Sequence, residues 1–93
     1  MATSLPAAAS ALAAAAQAQR QAGDYARAAA SLERALGISP HSAELWHQLA
    51  AIRLAAGEPE QAAQLAARSN ALAGDDPDLR ARNRAILEAA GGR

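Results

Sequence analysis

At 93 residues with nine arginines balancing nine acids, and no lysine, the chain lacks the basic excess of a nucleic-acid surface, so no DNA or RNA partner is expected. The absence of cysteine removes disulfides, thiolate metal sites and a cysteine nucleophile, and no apolar run approaches the ~18 residues of a membrane span. With alanine at one position in three and only Tyr25 and Trp46 as aromatics, the core has to come from leucines, Ile38, Ile52, Ile86 and close alanine contacts.

Residues 1–6 read as a linker remnant ahead of a single domain over 7–93. The alanine run from Ala7 to Ala18 lacks the basic n-region and leucine-rich h-region of a signal peptide and continues into a helix. That first helix spans about Pro6 to Ala22 and stops at Gly23. Asp24 caps the second, which the pattern ends at Leu36, before Gly37 and the Ile38-Ser39-Pro40 link. Ser42 caps the third, whose Leu45, Trp46, Leu49 and Ile52 recur at spacings of three and four and form one apolar stripe that closes at Gly57. Pro59 opens the fourth in a first turn, where a missing N–H costs nothing, and the helix runs through Leu65 and Leu72 to Gly74. Asp76-Pro77 begins the fifth, with Leu79, Asn83, Ile86 and Ala90 along one side. Acids in first turns (Asp24, Glu44, Glu58, Glu60, Asp76, Asp78) and arginines toward helix ends (Arg20, Arg34, Arg53, Arg68) complement helix dipoles, worth roughly 0.3–1 kcal/mol each when exposed.

Displaced by 34 residues, the chain matches itself at Gly23 and Gly57, Asp24 and Glu58, Ala28 and Ala62, Arg34 and Arg68, Leu12 and Trp46, and Ile38 and Leu72. Alanine pairs arise cheaply in such a composition, so the glycines, the acids after them and the large apolar residues carry the signal. The period is that of the tetratricopeptide repeat, and residues 9–42 and 43–76 resemble two such repeats. In the first, Gly23, Tyr25, Ala28, Leu32, Ala35, Leu36, Ile38 and Pro40 occupy the family's signature places. In the second, Trp46, Leu49, Ala50, Gly57 and Ala62 do so, while Pro59, Ser69 and Gly74 depart from the pattern. The resemblance implies an all-α, right-handed helical solenoid of two helix-turn-helix repeats plus a C-terminal capping helix over about 77–90, five helices in all. Ala16, Ala28, Ala50 and Ala62 are expected where helices cross, since a larger side chain would wedge a pair apart.

In such stacks the first helix of each pair lines a concave face. The resemblance therefore implies partner-binding candidates at Gln17, Arg20 and Gln21 on the first helix and Glu44, His47, Gln48 and Ala51 on the third, continued by Arg82 and Glu88 on the cap. Small alanines between these polar groups suit a helix or extended peptide. The Lys, Asn and Arg with which related repeats clamp a C-terminal carboxylate are replaced by Ala13, Gln17 and Ala51, so no such clamp is expected. His41 and His47, six residues apart, do not share a helix face, and neither metal nor cofactor is expected. No nucleophile motif, phosphate-cradling loop or buried carboxylate pair points to an enzyme. Trp46 and Tyr25 read as packing residues. The basic cluster Arg80, Arg82 and Arg84 reads as self-neutralised at i,i+4 by Asp76, Asp78 and Glu88.

A narrower resemblance rests on Glu44-Leu45-Trp46-His47-Gln48-Leu49-Ala50, on Gln64-Leu65-Ala66-Ala67-Arg68-Ser69-Asn70-Ala71-Leu72 and on Arg80-Ala81-Arg82-Asn83. These stretches are similar to the C-terminal repeat domain of proteobacterial outer-membrane lipoproteins, of pseudomonad type, that activate bifunctional penicillin-binding proteins. That resemblance implies a non-enzymatic module activating a peptidoglycan synthase on the periplasmic side of the outer membrane, behind a lipidated cysteine and a tether, with no membrane insertion of the domain itself. The alternatives are a cytoplasmic scaffold and a self-associating assembly domain, a homodimer formed through apolar positions such as Leu12 or Leu87.

Overall fold

The computed structural model describes residues 5–91 and places in them five helices and no strand: α1 (Ala7–Gln21), α2 (Tyr25–Ile38), α3 (Ala43–Ala55), α4 (Pro59–Ala73) and α5 (Pro77–Gly91). Of the linker expected over 1–6, residues 1–4 lie outside the described residues; Leu5 packs on the core and Pro6 sits at the N-cap of α1. Local chemistry explains the helix starts. Asp24 Oδ1 accepts the Arg27 N–H at 3.1 Å, Ser42 Oγ that of Leu45 at 3.3 Å, and Asp76 Oδ1 that of Leu79 at 3.0 Å, which caps α2, α3 and α5. α4 has no side-chain cap and begins instead on Pro59.

The turns inside the two repeats are built alike. Gly23 and Gly57 take φ of +79° and +82°, and around each the same pair of bonds closes the helix. The Gly23 N–H donates to Arg20 O at 2.9 Å and the Asp24 N–H to Gln19 O at 2.8 Å; Gly57 and Glu58 donate likewise to Leu54 O at 3.1 Å and Arg53 O at 2.9 Å. This is the Schellman closure, whose left-handed residue is nearly always glycine. Gly37 behaves differently, because it does not adopt positive φ and α2 runs through it to Ile38. The stop comes from Pro40, which holds Ser39 outside the helical region at φ −130° and ψ 71°.

α1 packs on α2 and α3 on α4, α2 joins the two pairs through α3, and α5 lies against α4 and touches α3. Thus α5 stands to α4 as α3 stands to α2, in the place of the first helix of a third repeat. The body is 18 Å thick along its shortest axis, about two layers of helices ~10 Å across. One core cluster joins α1, α2 and α3 around Leu32, Leu45, Leu49 and Ile52; a smaller one joins α3, α4 and α5 around Ala50, Ala62, Ala66 and Ile86. Ala16, Ala28, Ala50 and Ala62 are each 0% exposed, as the small-residue crossings require.

Ile38, expected in the core, is 44% exposed. At 100° per residue it falls at the rim of the stripe set by Ala28, Leu32, Ala35 and Leu36, in the last residue of its helix. Trp46 packs half-buried against the first cluster. Its Nε1–H donates to Pro40 O at 2.8 Å, tying down the link between repeats, and the Arg68 guanidinium lies 5.1 Å from its ring centroid. Arg53 bridges Glu33 and Glu58, each at 3.0 Å, and so spans α2, α3 and the start of α4.

Candidate partner-binding face

On α3, Glu44, His47, Gln48 and Ala51 recur at the spacing that shares one helix face, next to the buried stripe of Leu45, Leu49 and Ile52. Gln17 and Arg20 on α1 and Arg82 on α5 meet that face in a shallow concavity of about 190 Å³. Seven of the expected residues, Gln17, Arg20, Glu44, His47, Gln48, Ala51 and Arg82, thus line one surface. Gln21, a turn beyond Gln17 at the end of α1, and Glu88 on α5 are exposed outside it.

The side chains form one polar relay across the three helices. Arg20 Nη1 donates to Gln17 Oε1 at 3.4 Å, Gln17 Nε2 to Gln48 Oε1 at 3.3 Å, and Gln48 Nε2 to Glu44 Oε2 at 3.5 Å. Each glutamine accepts on its arginine side and donates on its carboxylate side, so the relay has a direction, from cation to anion. At its end Arg82 grips Glu44 with both terminal guanidinium nitrogens, at 2.9 and 3.2 Å, while its Nε donates to Asp78 at 3.1 Å. This fork geometry is the strong form of the arginine–carboxylate pair, and it fastens α5 to α3.

Hydrogen bonds from Arg82 hold the Glu44 carboxyl below the usual range, against the opposing effect of burial, and Glu44 in turn raises the Arg82 guanidinium. Because both side chains are more than 40% exposed, solvent screening keeps the contribution of the pair under about 1 kcal/mol. A depressed folded-state value means that this contribution is present above the ordinary glutamate range, near 4.5, and is lost as the pH falls through the lower value in the folded state. The melting temperature of Glu44→Gln is therefore expected to lie slightly below wild type at neutral pH, with the gap closing in acid. A gap of constant size down to the acid transition would show that the pair contributes nothing through its charge.

Of the pairings expected within α5, Asp78 with Arg82 forms. Asp76 instead spends its oxygen on the Leu79 N–H, and Arg80 Nε donates to the Gly74 carbonyl at 2.8 Å, left open where α4 ends. Among the described residues Arg84 and Glu88 make no ion pair.

Behind the concavity lies a polar cluster that sequence reasoning missed. Asn83 and Ser69 are both 0% exposed. Asn83 Nδ2 donates to Ser69 Oγ at 2.8 Å and to Asn70 Oδ1 at 3.0 Å, Ser69 Oγ donates to Ala43 O at 2.8 Å, and Asn83 Oδ1 lies 2.8 Å from His47 Nδ1. Two signals pointed there: Ser69 where the repeat expects alanine, and an asparagine on the apolar side of α5. Among the described residues no buried side-chain nitrogen or oxygen lacks a partner.

Residues 19–82, about two-thirds of the chain, match the family profile described as tetratricopeptide repeat. The chain belongs to the tetratricopeptide repeat family. Comparison with curated proteins and with solved structures gives no match. The matched span runs from the last turn of α1 to Arg82, and so takes in most of the relay and both Schellman turns. Tetratricopeptide repeats are non-catalytic protein-interaction modules, and this domain is a protein-binding one in that sense. Among the described residues no helix is long and apolar enough to cross a membrane, and no three His, Cys, Asp or Glu side chains cluster as metal ligands.

Proposed function

We propose that the domain binds a segment of a partner protein along the face shared by α1, α3 and α5, and that the partner is a bifunctional peptidoglycan synthase on the periplasmic side of the bacterial outer membrane. The observation that carries the reading is the convergence of polar side chains from three helices around the small Ala51. The finer identification is supported by the stretches that resemble the lipoprotein activators. Glu44 to Ala50 and Arg80 to Asn83 contribute Glu44, His47, Gln48 and Arg82 to this one face. Activation is then a population shift: binding the active synthase tenfold more tightly than the idle one moves its equilibrium by about 1.4 kcal/mol. For the assembly alternative, Leu12 and Leu87 both pack half-buried against the core clusters, so neither offers an open apolar surface.

Photo-crosslinking tests both levels of the proposal. A reactive side chain at Gln48 is preferable to one at His47, whose ring is bonded to Asn83. Capture of a bifunctional synthase from envelope extracts, with no counterpart from cytosolic extracts, supports the reading. Capture of another copy of the domain alone moves the assignment to assembly. Ala51→Trp fills the concavity from a half-buried position beside the second core cluster and is expected to abolish capture, with circular dichroism checking that the helices are retained. Undiminished capture by that variant would place the binding surface elsewhere.

A further inference from the structure

We infer that His47 enters the concave face as a hydrogen-bond acceptor of fixed tautomer, set by Asn83 behind it, and that the bound segment must present an N–H or O–H donor there. The inference deepens the proposed function and rests on the same face being the binding surface.

Proton bookkeeping through the buried cluster leads to it. The Ala43 carbonyl can only accept, so the single hydroxyl proton of Ser69 is committed to it at 2.8 Å. Ser69 Oγ must then accept from the Asn83 atom 2.8 Å away, which makes that atom the amide nitrogen. The second amide proton goes to Asn70 Oδ1 at 3.0 Å. Asn83 therefore turns its oxygen toward His47 Nδ1, 2.8 Å away, and Nδ1 carries the proton of that bond. In a neutral imidazole the other nitrogen is then a bare acceptor. Nε2 has no hydrogen-bond partner among the described residues, and no buried side-chain nitrogen there lacks one, so this edge of the ring reaches solvent beside the concavity. Gln17 and Gln48 bond within the relay, each keeping one amide proton to spare, and Glu44 and Arg82 bond to each other. His47 Nε2 is left as an open, oriented acceptor, and Asn83 is the positioning residue that orients it.

The charged groups facing His47 are Glu44 on its own helix and Arg82 on α5, with Arg20 of α1 on the same face; α4 presents only Ser69 and Asn70, which do not titrate. Protonation turns Nε2 into a donor, so a donor-bearing ligand loses affinity as the imidazole charges.

Nitrogen NMR of the histidine-labelled domain tests the first half without any ligand. The expected spectrum at neutral pH shows His47 with Nδ1 protonated and Nε2 bare, with His47→Asn assigning the signals. A wild-type His47 protonated at Nε2 overturns the inference. The second half uses peptides selected from a displayed random library on the wild-type domain. In His47→Asn the amide nitrogen takes the place of Nδ1 and keeps the bond to Asn83, but nothing replaces Nε2. Peptides displaced by Ala51→Trp are expected to bind this variant about tenfold more weakly, with unchanged melting and with the pH dependence lost. Equal affinity for wild type and His47→Asn overturns the donor requirement. If Ala51→Trp displaces none of the peptides, the binding face fails and the proposed function with it, an outcome separable from the other two.

Discussion

Deleting Pro77 to Arg93 is expected to unfold the second repeat. The cluster that joins α3, α4 and α5 contains Ala50, Ala62, Ala66 and Ile86, so three of its four members are alanines that bury little area, and α5 supplies the large one. Loss of buried Leu79 and Ile86 removes roughly 1.5–3 kcal/mol each. For a domain of 93 residues the whole folding free energy is of order 5 kcal/mol at the low end. The truncation also removes Arg82 from Glu44 and Asn83 from Ser69, Asn70 and His47. Circular dichroism should show helicity well below what four intact helices would give, with melting broadened or absent. Four helices melting cooperatively at the wild-type temperature would mean that α5 is not the cap.

The second large effect is expected from Ala62→Leu. Ala62 is 0% exposed and shares its cluster with the equally buried Ala50 and Ala66. Extra methylenes at such a crossing cost typically 1–3 kcal/mol, and each kcal/mol lowers melting by roughly 4–8 °C in a domain of this size. Ala50→Leu should behave similarly, and the double variant should not be additive, because the two side chains compete for the same space. Ala67→Leu, on the exposed side of α4, serves as the control and should stay within about 0.5 kcal/mol of wild type. If Ala62→Leu melts like Ala67→Leu, the close helix crossing is not what stabilises the pair.

Much of this architecture is legible before folding because it is local. Asp24, Ser42 and Asp76 cap helices through bonds spanning three residues, and the Schellman turns at Gly23 and Gly57 close within five. Glu44, His47, Gln48 and Ala51 share a face by helical spacing alone, and the 34-residue offset sets Gln17 on α1 in the place of Ala51, with Arg20 one turn on. Where local reading went astray, a neighbour outweighed the residue's own preference. Gly37 has the composition of a helix stop, yet Pro40 sets where α2 ends, and Ile38 is apolar but lies at the edge of its helix's buried stripe.

By itself, then, the sequence determined the five helices, the small-residue crossings and the polar face of α3, since these follow from caps, turns and period. Only the tertiary structure decided which side chains bond to one another there. Arg82 had Asp78 within reach on its own helix, but the docking of α5 also brought it to Glu44, 38 residues away in sequence. The same docking buried Asn83 against Ser69 and turned its oxygen to His47. Hydrogen bonds with a reach near 3 Å depend on the distance and rotation between packed helices, and neither quantity is encoded in the periodicity of any single helix.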